Sequence, residues 1–151
     1  MNWPLIAAQY ALGLIAPRDL PHLADKLLQS SDDPQSVVDL AVLPPEDTVQ
    51  IQRTFQCVLE DLNLEYPTEN AALILVATQF ARKVVHGQLP VYVGARQIAD
   101  LWLYRTSADV PEVRHFYGLV HAYDESDPKE PEYLDRMLEE CRRLAEADEG
   151  G

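Results

Sequence analysis

AALILVATQFARKVV, Ala71 to Val85, is the stretch whose reading decides the fold. Over its first two turns it is apolar on almost every side, and a helix of that kind is normally enclosed by others. The sequence therefore predicts an all-α protein, a compact bundle of about eight short helices around a central apolar helix at 71–85. Thr68 is placed to cap that helix at its N-terminus, because its hydroxyl can accept one of the unpaired first-turn N–H groups. The continuation, VHGQLPVYVGARQIADLW (Val85 to Trp102), holds a histidine, two glycines and two rings that a ligand loop could use. A phosphate loop would need a preceding strand and a GxxxxGK[ST] or GxGxxG pattern, and neither is present. Gly87 instead suits a left-handed helix stop, with Lys83 and His86 near the carbonyl end. Gly94 falls in the first turn of the next helix, where glycine costs up to about 1 kcal/mol against alanine, so a close helix contact is expected there. Ala95, Ile98, Leu101 and Trp102 continue a buried face, with Arg96 and Gln97 outward. The stretch reads as an elbow between packed helices.

Working outward, apolar residues recur at three and four nearly everywhere, and no alternating strand-like run is evident. A first helix is expected over Trp3–Ile15, stopped by Ala16-Pro17. A second spans Asp19–Gln29, with Leu20, Leu23, Ala24, Leu27 and Leu28 on one face and Pro21 tolerated in the first turn. Asp33 before Pro34 reads as a cap for a short helix over Gln35–Leu43. Glu46 and Asp47 open a fourth helix that carries Ile51, Phe55, Val58, Leu59 and Leu62 on one face and ends near Asn63. Helices six, seven and eight are expected at Val91–Arg105, Pro111–Tyr123 and Pro131–Ala147. No fixed-period repeat is present. The expected organisation is one helical domain over 1–147, with an acidic N-terminal half (1–65), a second half (66–147) and a frayed tail at 148–151.

The 25 acids outnumber the 12 bases, a net charge of −13, and the excess is unevenly placed. Residues 1–65 carry 10 acids against 3 bases (−7), residues 66–106 carry 2 against 4 (+2), and residues 107–151 carry 13 against 5 (−8). Such a surface repels phosphate backbones, which argues against nucleic acid. It suits a basic protein partner reached by steered association. No segment approaches the roughly 18 uncharged apolar residues of a membrane helix. The first cation, Arg18, follows the N-terminal apolar run instead of preceding it as in a secretory signal, so a cytoplasmic location without membrane attachment is expected.

Cys57 and Cys141 each fall among helical apolar residues and read as buried structural thiols; no CxxC or Cys/His cluster suggests a metal. Of the four histidines, His22 with Asp25 and His121 with Asp124 are spaced to share helix faces. His115, His121, Asp124, Glu125 and Asp127 form the most concentrated set of metal-ligating residue types. No HExxH, repeated Glu-x-x-His or nucleophile elbow accompanies them. The expectation is no catalytic set, no metal site and no cofactor.

The run ARKVVHGQLPVYVGARQIADLW, Ala81 to Trp102, together with His115-Phe116-Tyr117-Gly118-Leu119 and the N-terminal ALGLIAPRDLPHLADKLL (Ala11 to Leu28), resembles small acidic all-helical bacterial proteins. Most of these are uncharacterised, and some are similar to immunity proteins of polymorphic toxin systems. That resemblance implies a protein that binds and neutralises a cognate toxin with a basic surface; an adaptor or scaffold domain is the alternative. The residues expected to make the contact combine charge with rigid amphipathic rings: Tyr123, Asp124, Glu125, Asp127, Glu130, Glu132 and Tyr133. A second acidic patch is Asp32-Asp33 with Glu46-Asp47.

Overall fold

The computed structural model describes residues 2–28 and 33–149. Among them the protein is all-helical. Its α-helices are α1 (Trp3–Ala11), α2 (Leu20–Leu27), α3 (Gln35–Ala41), α4 (Thr48–Asp61), α5 (Glu69–Val85), α6 (Val91–Tyr104), α7 (Pro111–Glu125) and α8 (Pro131–Glu149), with a 3₁₀ turn at Pro17–Asp19. No helix among the described residues is long and apolar enough to cross a membrane. The chain separates into two compact units, Met1–Pro67 and Thr68–Gly151.

Local chemistry sets the helix ends. Asn2 Oδ1 accepts the Leu5 N–H at 2.8 Å, Asp47 Oδ1 that of Gln50 at 3.4 Å, and Thr68 Oγ1 that of Ala71 at 3.1 Å. Each satisfies a first-turn donor that the helix itself leaves unpaired. Among the described residues, three helices stop by one device, a left-handed residue just past the end: Gly13 (φ 73°), Asn63 (φ 57°) and Gly87 (φ 73°). In each, two N–H groups turn back on the last carbonyls. Gly87 donates to the Val84 carbonyl at 3.0 Å and Gln88 to that of Lys83 at 2.8 Å, with matching pairs at Gly13/Leu14 and Asn63/Leu64. That is the paired bonding of a Schellman stop.

Several boundaries differ from the sequence expectation. α1 ends at Ala11 because Gly13 takes the left-handed turn before Ala16-Pro17 is reached. Pro34, not Asp33, is the residue flanking α3, and its extended ψ of 145° keeps it outside the helix. Asp47 caps α4 from outside, and Glu46 precedes it. α7 runs on to Glu125, so Asp124 and Glu125 are helical. Within the expected frayed tail α8 reaches Glu149, while residues 150 and 151 lie outside the described residues, as does Asp32.

In the N-terminal unit, α2 and α4 pack on α3, and the core joins Ile6, Leu20, Val37, Leu40, Ile51 and Leu59. Phe55 gathers rings around it: Trp3 at 6.3 Å and Tyr10 at 5.3 Å between centroids, with Tyr66 a further 6.4 Å from Tyr10. The Ser36 hydroxyl is buried in this unit and has no hydrogen-bond partner among the described residues.

In the C-terminal unit, α5 to α8 form a bundle in which every helix packs on the other three. Leu73, Val76, Ala77, Ile98, Phe116 and Met137 are buried there. α5 is thus one of four staves, and its apolar surface is not covered all round: Ile74 is 41% and Val85 39% exposed. Cys141 is buried, and burial pushes its thiol up to about 12. Cys57 is exposed, contrary to the sequence reading. The buried stripe of α4 is Ile51, Thr54, Phe55, Val58 and Leu59, and Cys57 lies two residues from Phe55, roughly 200° around the helix.

Gly94 makes the close contact expected of it. A Cβ at that position would overlap Val84 Cγ2 and sit 3.4 Å from Leu89 Cδ2. Because valine is stiff at χ1, Val84 cannot swing aside. Gly94→Ala is therefore expected to lower stability by about 1–3 kcal/mol through overpacking, despite alanine's higher helix propensity; denaturant titration measures it, and an unchanged or raised midpoint contradicts the packing. Thiol titration gives a second check: one equivalent, Cys57, should react in the native protein, and Cys141 only on unfolding.

Candidate functional site

The first turn of α6, the last turn of α7 and the start of α8 converge on a cleft of about 610 Å³. Tyr92 lines it. The Tyr92 hydroxyl donates to Asp124 Oδ1 at 2.7 Å and accepts from Arg96 Nη1 at 3.0 Å, and its ring packs against Tyr123 at 5.3 Å. Arg96 is one turn beyond Tyr92, so helix periodicity alone brings the guanidinium to the phenol. The resulting relay, Arg96 to Tyr92 to Asp124, ties α6 to the end of α7. The hydrogen bond to Asp124 holds the Tyr92 phenol above its ordinary range, aided by desolvation, and the bond to Tyr92 raises Arg96.

Lys129 closes the carboxyl end of α7. Its Nζ donates to the carbonyls of Asp124 at 2.6 Å and Tyr123 at 3.3 Å and lies 5.5 Å from the Tyr123 ring centroid. A cation at that end complements the helix dipole. Ser126 Oγ donates to the Tyr123 carbonyl at 2.7 Å and accepts the Glu130 N–H at 3.2 Å, which folds the short link back on itself. Leu134, Asp135 and Leu138 of α8 complete the cleft with Pro90 and Val91.

Of the residues expected to contact a partner, Tyr123 and Asp124 line this cleft. Glu125 ends α7, Asp127 and Glu130 lie in the link and Glu132 in the first turn of α8, all four exposed. Tyr133 is half-buried, with Arg136 5.9 Å from its ring centroid. Among the described residues, no ion pair joins Glu125, Asp127, Glu130, Glu132 or Asp135 to a cation. The link therefore presents open carboxylates beside two packed phenol rings.

Sequence reasoning missed Tyr92, Leu134, Asp135 and Leu138. The Tyr92/Arg96 spacing was a usable signal, whereas Leu134 and Leu138, plain aliphatic residues at helical spacing, carry none. The histidines do not gather with the carboxylates: His121 stacks on Tyr117 at 6.1 Å and 11°, and His115 lines a different cleft. Among the described residues no group of three or more His, Cys, Asp or Glu could hold a metal ion. In the other acidic patch, Asp47 is engaged as the α4 cap. No protein-family model, curated protein or solved structure matches the chain.

The Tyr92 relay has a pH signature. Folding favours the neutral phenol, so its contribution is fully present below the ordinary tyrosine value of 10.0 and is lost as pH rises through the raised one. The alkaline ultraviolet titration of wild type minus Tyr92→Phe should show one phenol ionising later than free tyrosine. The two proteins' stabilities should also converge at the alkaline end; an ordinary or early titration contradicts the donor role of Tyr92.

Proposed function

We propose that the protein binds one protein partner with a basic surface at the Tyr92/Tyr123/Asp124 cleft, and that the partner is a toxin it neutralises, as an immunity protein does. The observation that carries the reading is the pairing of a fixed aromatic cleft with a rim of carboxylates lacking ion pairs. Buried rings at the centre of an interface supply most of its binding energy, and rim charges supply encounter rate. Tyr92 and Tyr123 are held in place before a partner arrives, which lowers the ordering cost of association. A lysine or arginine entering the cleft would meet the Asp135 carboxylate, and would reach the Tyr123 ring by displacing Lys129 from over it. The step from partner binding to neutralisation rests on the resemblance described for the sequence.

The test is capture from the native host with wild-type protein and with a Glu132→Lys/Asp135→Lys variant, followed by kinetics on the retained polypeptide. A single basic polypeptide should be retained by the wild type, with an on-rate that falls steeply between low and physiological salt. The charge-reversed variant should associate at least ~10-fold more slowly, and Tyr123→Ala should weaken affinity by about 30-fold. Co-expression should relieve growth inhibition by that polypeptide. A salt-insensitive complex, or equal capture by the variant, overturns the site; a complex whose partner is harmless alone overturns neutralisation.

A further inference from the structure

Two glycines sit inside helices of the C-terminal bundle, for different reasons. Gly94 is demanded by Val84. Gly118, in the middle of α7, is not demanded by anything: a Cβ built there meets no atom within 4 Å, and its φ is not positive. A mid-helix glycine weakens a helix relative to alanine, and here no turn or close packing compensates. What the absent side chain leaves is room. Gly118 lines a cleft of about 650 Å³ between α6, α7 and α8, within the range of small-molecule sites.

The wall of this cleft is aromatic. Trp102, half-buried on α6, packs against Tyr117 at 5.3 Å between ring centroids, and Tyr117 remains 37% exposed. Leu119 adds apolar surface. The charged lining is unevenly engaged. Glu139 and Glu140 both accept from Arg143, at 3.2 and 3.0 Å. Among the described residues Arg114 is held through Nη1, at 2.9 Å from each Asp109 oxygen. Arg136 rests near the Tyr133 ring and makes no ion pair among the described residues. The cleft thus offers open guanidinium donors beside its rings, while its two carboxylates already carry a cation.

We propose that this cleft binds a planar aromatic ligand bearing an acidic group, the ring against Trp102 and Tyr117 over Gly118 and the acid on Arg136. Guanidinium is suited to that task because its donors match a carboxylate in a fixed plane. The site is separate from the Tyr92 cleft, and its failure would leave the partner reading untouched.

The experiment uses the full chain and three probes of one shape: naphthoate, naphthylmethanol and naphthylmethylamine, followed by amide and indole N–H nuclear magnetic resonance. Naphthoate should shift the Gly118 amide and the Trp102 indole N–H saturably and bind at least ~10-fold tighter than the amine, the scale of a charge-assisted hydrogen bond. Gly118→Met should raise the melting temperature by a few degrees and abolish binding. Arg136→Gln should erase the preference for the acid while the alcohol still binds. Naphthoate leaving both signals unmoved, an amine that binds as tightly, or naphthoate binding unchanged in Gly118→Met would each overturn the proposal.

Discussion

α6 approaches α5 as closely as it does because position 94 has no side chain, and Val84 Cγ2 fills the space where one would be. The crossing point of two helices is thereby fixed one turn into α6, and the rest of the C-terminal bundle inherits it. Tyr92 lies two residues before that point and Trp102 eight residues after it, so about 15 Å of helix separates them. Each ring is delivered to a different part of α7: Tyr92 to Tyr123 and Asp124 at its end, Trp102 to Tyr117 near its middle. Both clefts share α6 as a wall, and a shift of α6 along α5 would disturb both. The elbow that precedes α6 serves the same end. Gly87 stops α5 cleanly, and the few residues to Pro90 leave little freedom in where α6 begins.

Charge in residues 107–151 follows from which cations are already committed. Five bases face 13 acids there. Lys129 is held on the last carbonyls of α7, Arg114 on Asp109 and Arg143 on Glu139 and Glu140. The carboxylates of the α7–α8 link have no ion pair among the described residues, and neighbouring acids within a Debye length of about 8 Å reinforce one another's field. This repulsion works against the compact link, and the bonds of Ser126 and Lys129 oppose it. The same arrangement gives the link a field that reaches beyond contact distance, which is what steering an oppositely charged molecule requires.

The features legible in the sequence are those whose cause lies within four or five residues. Thr68 as a cap, Gly87 as a left-handed stop and the apolar stripe of α4 all depend on near neighbours along the chain. Misreadings arose where two local signals competed. Gly13 ended α1 ahead of the more conspicuous Ala16-Pro17, whereas the end of α4 near Asn63 stands as read, although no glycine marks it. Cys57 was misjudged by phase: apolar neighbours in sequence are not neighbours on a helix surface. Of the candidate site, the composition of the link marked Tyr123 and Asp124. Tyr92 is 32 residues away from Asp124, and its bond exists only because α6 crosses α7 where it does.

Gly94 and Gly118 show the limit in its sharpest form. Both are glycines inside amphipathic helices, and propensity treats them alike. One is explained by what stands beside it and the other by what does not, a difference carried chiefly by Val84 on another helix. Packing therefore accounts for Gly94 completely and for Gly118 not at all. A residue that weakens its helix without a packing return is best explained by the space it keeps open. At Gly118 that space adjoins the exposed rings and open guanidinium donors of this bundle.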